Sequence, residues 1–136
     1  QTRKVLTFLN MGIFPADILF SCGFNYKELC RMLEENNLKD WLKAVKQNKE
    51  LIQNVGWCAI RTTVKSNGAK TPFFLIISTE LFDFSDNSYC ILAHESLHIC
   101  QYALPDFIDR TQELEAEAYL HSHIMGQCLA NIRLKK

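Results

Sequence analysis

The stretch Phe73-Phe74-Leu75-Ile76-Ile77 constrains this chain more than any other, because it is apolar at every position. A strand alternates its side chains between two faces, so one that is apolar on both has to be covered on both. The remaining sequence offers helices for that cover. At 136 residues the chain suffices for one core and one domain.

The punctuation around that strand sets an order of elements. Ile13 to Cys22 is rich in β-branched and aromatic residues and ends at Gly23, which predicts a first strand. Asn25 with Glu28 forms a capping box, and helical spacing follows at Leu29, Met32 and Leu33, then at Leu38, Trp41, Leu42 and Val45. The Asn36-Asn37 pair breaks or kinks this region. Gly56 to Val64 alternates as a strand, Lys65-Ser66-Asn67-Gly68 carries hairpin-turn residues, and Thr71 to Thr79 returns as the partner strand.

After a polar break from Asp83 to Ser88, helical spacing resumes at Ile91, Leu92, Leu97 and Ile99, and Leu104-Pro105-Asp106 stops it. Asp109 and Gln112 make a second capping box, opening a helix from about Arg110 to Ile132. The predicted fold is α+β: a single domain over residues 1–136, with a small antiparallel sheet backed by helices and a C-terminal helical hairpin.

Composition narrows the function. Fifteen basic and fifteen acidic residues balance, and the basic run Arg133-Leu134-Lys135-Lys136 suits a helix C-terminus, so nucleic acid is a poor partner. No stretch approaches the ~20 apolar residues of a membrane span. Gln1 to Leu9 faintly resembles a leader, but no small-residue cleavage site follows it. Six cysteines, four of them in helical patterns and none in a C-x-x-C pair, read as reduced, packed thiols of a cytoplasmic protein.

The chemistry concentrates at Ala93-His94-Glu95-Ser96-Leu97-His98, an H-E-x-x-H motif inside a predicted helix. Residues four apart stack on one helical face, so His94 and His98 can present two imidazoles to one metal ion, with Glu95 placed to take a proton from its water. A catalytic zinc takes a third protein ligand and keeps a fourth position open. The metzincin solution would place Gly at 101 and His at 104, where this chain has Gln101 and Leu104.

Three carboxylates of the next helix, Glu113, Glu115 and Glu117, then compete for the third place. At about 100° per residue Glu115 lies opposite the other two, in a row with Ala118, Tyr119, Ser122, Gly126 and Leu129. Those small and apolar residues suit packing on another helix, which favours Glu115. With a turn between about Ala103 and Asp109, His98 and Glu115 come out level in a hairpin.

His94-Glu95-x-x-His98 followed by Glu115-x-x-Ala118-Tyr119 resembles the gluzincin pattern of thermolysin-type zinc peptidases in a minimal single-domain form. It is also similar to small H-E-x-x-H proteins of bacteriophage and bacterial genomes, in which a Glu-x-x-Ala-Tyr-Leu segment follows. The resemblance spans about Phe73 to Met125. It implies a zinc metallopeptidase acting on a peptide or protein, with Zn2+ on His94, His98 and Glu115 and with Glu95 as general base. It also implies that Thr71 to Thr79 lies beside the metal and that an extended substrate adds along a sheet edge.

Two departures point instead to a metal-stabilised binding or host-interaction protein without turnover. Tyr119 stands where larger gluzincins carry an Asp that orients a histidine. No oxyanion donor is singled out among Tyr102, Tyr119, His121 and His123 by spacing. His121 and His123 read as surface or internally satisfied histidines, Cys90 as a packed thiol, Trp41 and Trp57 as core or rim, and Phe82 and Phe84 as packing beneath the metal helix.

Overall fold

Two β-hairpins laid side by side build the sheet of the computed structural model, which describes residues 4–12, 14–66, 69–107 and 113–134. Strands β1 (Val5–Met11) and β2 (Phe14–Cys22) pair antiparallel, as do β3 (Trp57–Ser66) and β4 (Ala69–Ser78). The hairpins join through a parallel pairing of β2 with β4, from Ile18 opposite Phe74 to Cys22 opposite Ser78, giving the order β1-β2-β4-β3. The chain is thus a single α+β domain, but its four-stranded sheet is mixed rather than antiparallel. Alternation within one strand reveals its buried face, not which distant strand it meets. Ile18 to Cys22 is nevertheless buried without a break, as befits an interior strand.

Five helices cover the sheet: α1 (Tyr26–Glu35), α2 (Lys39–Gln47), α3 (Lys49–Val55), α4 (Asp86–Phe107) and α5 (Glu113–Leu134). Side chains of β4 divide between two cores. Phe74 and Ile76 pack with Leu92, Ile99, Leu120 and Ile124 of α4 and α5, whereas Phe73, Leu75 and Ile77 pack with Leu29, Leu33, Val45 and Ile52 of α1 to α3. The doubly apolar strand is therefore covered twice, as its sequence required. Trp57 is buried in the first core, and Trp41 lies edge-on between Phe8 and Phe73 at the second.

Local signals explain most boundaries. Asn25 Oδ1 accepts from Glu28 N at 2.8 Å while Glu28 Oε1 accepts from Asn25 N at 3.3 Å, closing the capping box. Asn37, at φ 61, separates α1 from α2. The third helix, absent from the sequence reading, ends at Gly56 in the left-handed conformation (φ 84), where a Cβ would strike Leu81. β1 was missed too: its Val5, Leu9 and Met11 line the first core.

Helix α4 does not stop at Leu104-Pro105-Asp106 but runs through Pro105 to Phe107. A proline in the last turn removes one hydrogen bond, and the buried Ala103 and Leu104 hold that turn on the core. The Asn67-Gly68 turn and the Asp109–Gln112 capping box lie outside the described residues, as do Ile13 and the side chains of Glu113, Glu115 and the C-terminal basic run. Among the described residues no helix is long and apolar enough to cross a membrane.

Candidate metal site

Helix α4 opens on a tight cap. Ser85 N and Ser88 Oγ both donate to Asp83 Oδ1, at 3.0 and 2.8 Å, and Ser88 N donates to Ser85 Oγ at 3.2 Å. These hydrogen bonds hold the Asp83 carboxyl down at about 2, the side-chain bond of Ser85 contributing most. Phe84 is carried at a left-handed φ of 64 and edge-on to Phe82, but it is exposed rather than packed beneath the helix. Phe82 itself is fully buried, so it belongs to the core beneath the helix.

From that start the helix turns Leu92, Ser96, Ile99, Cys100 and Ala103 inward. It packs across β3 and β4, while α5 packs across β1. His94 and His98 fall on the opposite, outer face, His94 exposed and His98 half-buried. Their Nε2 atoms face one another at 2.9 Å, with the rings nearly perpendicular at 88°. On the far side of the second ring, His98 Nδ1 donates to Gln101 Oε1 at 3.2 Å. With that proton on Nδ1, His98 Nε2 accepts from His94 Nε2, so the two rings are hydrogen-bonded to each other.

Were the pair to hold a metal, the outer hydrogen bond to Gln101 would fix the tautomer of the ligating His98 ring. A tetrahedral zinc with bonds of ~2.0–2.1 Å would hold two such nitrogens roughly 3.3 Å apart, so the rings need open only slightly to admit it. Glu95, half-buried, lies on the β3 side of α4, close enough to the Cys58 thiol to add to the upward push of burial, which takes that thiol to about 12.

The third place is less complete. No cluster of three His, Cys, Asp or Glu side chains forms among the described residues, which sets aside Cys90, one turn before His94, and Glu117. Glu117 instead acts on Cys100, on the inner side of α4, where burial first and that carboxylate second push the thiol up to about 12. The side chain of Glu115 lies outside the described residues.

Two expectations about α5 are corrected. Its packing row is Ala116, Leu120, Ile124, Cys128 and Ile132, whereas Ala118, Tyr119, Ser122 and Gly126, in the helical phase of Glu115, are exposed. The apolar residues at four-residue spacing win the core because burying them gains more than burying small ones. The hairpin register also differs. His121 Nε2 donates to the Ala93 carbonyl at 3.2 Å, and Ser96 Oγ contacts Met125 Sδ at 3.3 Å. These contacts put Tyr119 or Leu120 opposite His98, roughly one turn past Glu115, because α4 continues beyond Leu104.

Other candidates resolve individually. Tyr119 does not approach His94. Its ring stacks on His123 (centroids 5.9 Å, planes 11° apart), and its hydroxyl end abuts Gly12 in the β1–β2 turn, where a Cβ has no room. His123 Nε2 donates to Asn10 Oδ1 at 2.7 Å, and Gln127 clasps the Asn10 backbone through both its amide groups at 2.7 and 3.1 Å. The strand implied to flank the metal, β4, is interior and paired on both sides, so the free edge beside α4 is β3, with exposed Arg61 and Thr63. All six cysteines are free thiols.

Comparison with family models, with curated proteins and with solved structures yields no match for this chain.

Proposed function

We propose that this protein is a zinc-dependent hydrolase of metallopeptidase type, acting on a peptide or protein substrate. The observation that carries the reading is the convergence of His94 Nε2 and His98 Nε2 at 2.9 Å on the outer face of α4, with Gln101 orienting the second ring. His94 and His98 supply two ligands. Glu115 supplies the third, as the gluzincin resemblance implies. Zinc held there would acidify a water and polarise a carbonyl. Glu95, one residue from the first ligand and free of coordination, takes the proton of the attacking water and passes it to the leaving amine.

The test has two stages. Metal analysis of protein purified without chelator should find one zinc per chain, and a peptide library should reveal turnover. Glu95→Gln should then keep the metal and the fold while turnover falls about 10²–10⁴-fold. Wild-type rates in Glu95→Gln would eliminate the mechanism. Zinc without any turnover across the library would favour a metal-stabilised binding protein, the reading to which Tyr119, engaged at Gly12, lends support.

A further inference from the structure

The two free edges of the sheet differ in charge. β3 closes one side and carries the basic residues Arg61 and Lys65, the kind of charge that keeps a foreign strand away. β1 closes the other and is uncharged from Val5 to Met11, with Phe8 46% exposed. Lys4, just before it, is ion-paired with Glu28.

The pairing pattern shows which backbone groups of β1 point outward. Gly23 N donates to Ser78 O at 2.9 Å, so Leu19, Ser21 and Gly23 turn their backbone groups to β4. Ile18, Phe20 and Cys22 then turn theirs to Leu9, Thr7 and Val5, which leaves Leu6, Phe8 and Asn10 facing the open edge. Asn10 is already taken. Gln127 accepts from its N–H and donates to its carbonyl, standing in for a strand at that one position. The backbone groups of Leu6 and Phe8 have no partner among the described residues, so two donors and two acceptors stand open on either side of Thr7. The side chains of the same two residues border an apolar hollow completed by Leu19, Met32 and Leu38.

We infer that β1 is a self-association edge, to which a second copy of this chain adds its own β1 antiparallel about a two-fold axis at Thr7. In that register Leu6 pairs with Phe8 of the other copy, and Phe8 with its Leu6. Each pair exchanges two N–H···O bonds, so every open group within the two strands is satisfied. A register moved toward Asn10 meets the Gln127 clasp, and one moved the other way sets Phe8 against Lys4, outside the strand. Phe8 of the second copy falls on the same face as Leu6, where it covers the hollow. Charge selects this edge: two uncharged β1 strands meet without repulsion, whereas β3 against β3 would oppose like charges. The contact is small, so the dimer is weak and depends on concentration.

Sedimentation of the full chain from micromolar to millimolar concentration, with amide exchange followed by NMR, tests this. A monomer–dimer equilibrium is expected, and exchange at Leu6 and Phe8 should slow as the dimer fraction grows. The amides of Thr7 and Leu9, bonded to β2, should stay slow throughout. Phe8→Lys sets a charge on the edge and should weaken the dimer about tenfold or more. Leu6→Pro removes an outward N–H that the fold itself does not use, and should do the same. Should either variant fail to fold, the exchange pattern of the wild type still decides. A chain monomeric into the millimolar range overturns the inference. So does a dimer that Phe8→Lys leaves intact, or one whose Leu6 and Phe8 amides exchange as freely as in the monomer.

Discussion

Four histidines sit on two neighbouring helices, two on each, and the pairs behave in opposite ways. On α4 the spacing is four, so His94 and His98 share a face and turn their Nε2 atoms toward each other. On α5 the spacing is two, which at about 100° per residue sends the rings to different sides. His121 reaches α4 and His123 reaches β1, and each donates to an oxygen of the protein. One pair is satisfied by the fold and ties α5 to its neighbours. The other meets ring to ring at the surface, His94 and His98 hydrogen-bonded to each other and to no other element. Residue type is identical in the two cases; spacing and surroundings decide which atoms each ring meets.

The largest expected effect breaks that contrast at its centre. With free zinc about a hundredfold above Kd, wild type should gain about 2.7 kcal/mol of stability, read by denaturant unfolding with and without the metal. The double variant His94→Ala/His98→Ala should gain nothing and carry no stoichiometric zinc. His121→Ala/His123→Ala should keep the full zinc response. Undiminished zinc in the first double variant would sink the metal reading.

The carboxylate and the orienting amide come next. Glu115→Gln should weaken zinc binding far more than Glu117→Gln, whose carboxylate acts on Cys100 at the inner side of α4. The opposite ranking would show that Glu117 reaches round to the histidines and that the Ala-Tyr match misleads. Gln101→Ala, which frees the His98 ring, should lower zinc affinity about 10–100-fold, the usual cost of losing a partner of a metal-ligating histidine. Titration against a competing chelator reads both.

A smaller effect belongs to the second pair. His121→Ala and His123→Ala each remove one hydrogen bond, and each should cost about 0.5–1.5 kcal/mol with zinc affinity unchanged. Equal losses of zinc affinity from the two pairs would erase the distinction drawn between them.

The smallest effect concerns the cap that starts the metal helix. Asp83 sits at about 2 in the fold, against an ordinary value of 3.8. A depressed carboxylate stabilises the fold above its unfolded value and loses that contribution as pH falls through the folded one. Asp83→Asn should therefore flatten the pH dependence of stability between about 4 and 2, followed by circular dichroism. Parallel wild-type and variant curves across that window would show that the cap contributes nothing there.

Much of the fold was legible because its signals are local. The Asn25–Glu28 box, the Asn36-Asn37 break and the β3–β4 hairpin each depend on neighbours in sequence, where side-chain chemistry acts on the adjoining backbone. β1 was obscured because Gln1 to Leu9 resembles a leader in composition. Pro105 misled because its penalty in a last turn is small beside the burial of Ala103 and Leu104. In the site, the His94–His98 pair was legible from spacing alone, since helical geometry permits few other outcomes.

By itself, then, the sequence determined a doubly covered strand, a capped helical region and two histidines on one helical face. Each follows from a period or a cap, which act over a few residues. Only the tertiary structure decided that β2 runs parallel to β4, that Leu120 and Ile124 rather than Ala118 and Ser122 face the core, and that Tyr119 and His123 are engaged at the β1–β2 turn. Those outcomes rest on contacts between segments far apart in the chain. They are set by which apolar surfaces fit together, a property of the whole core that no single stretch records.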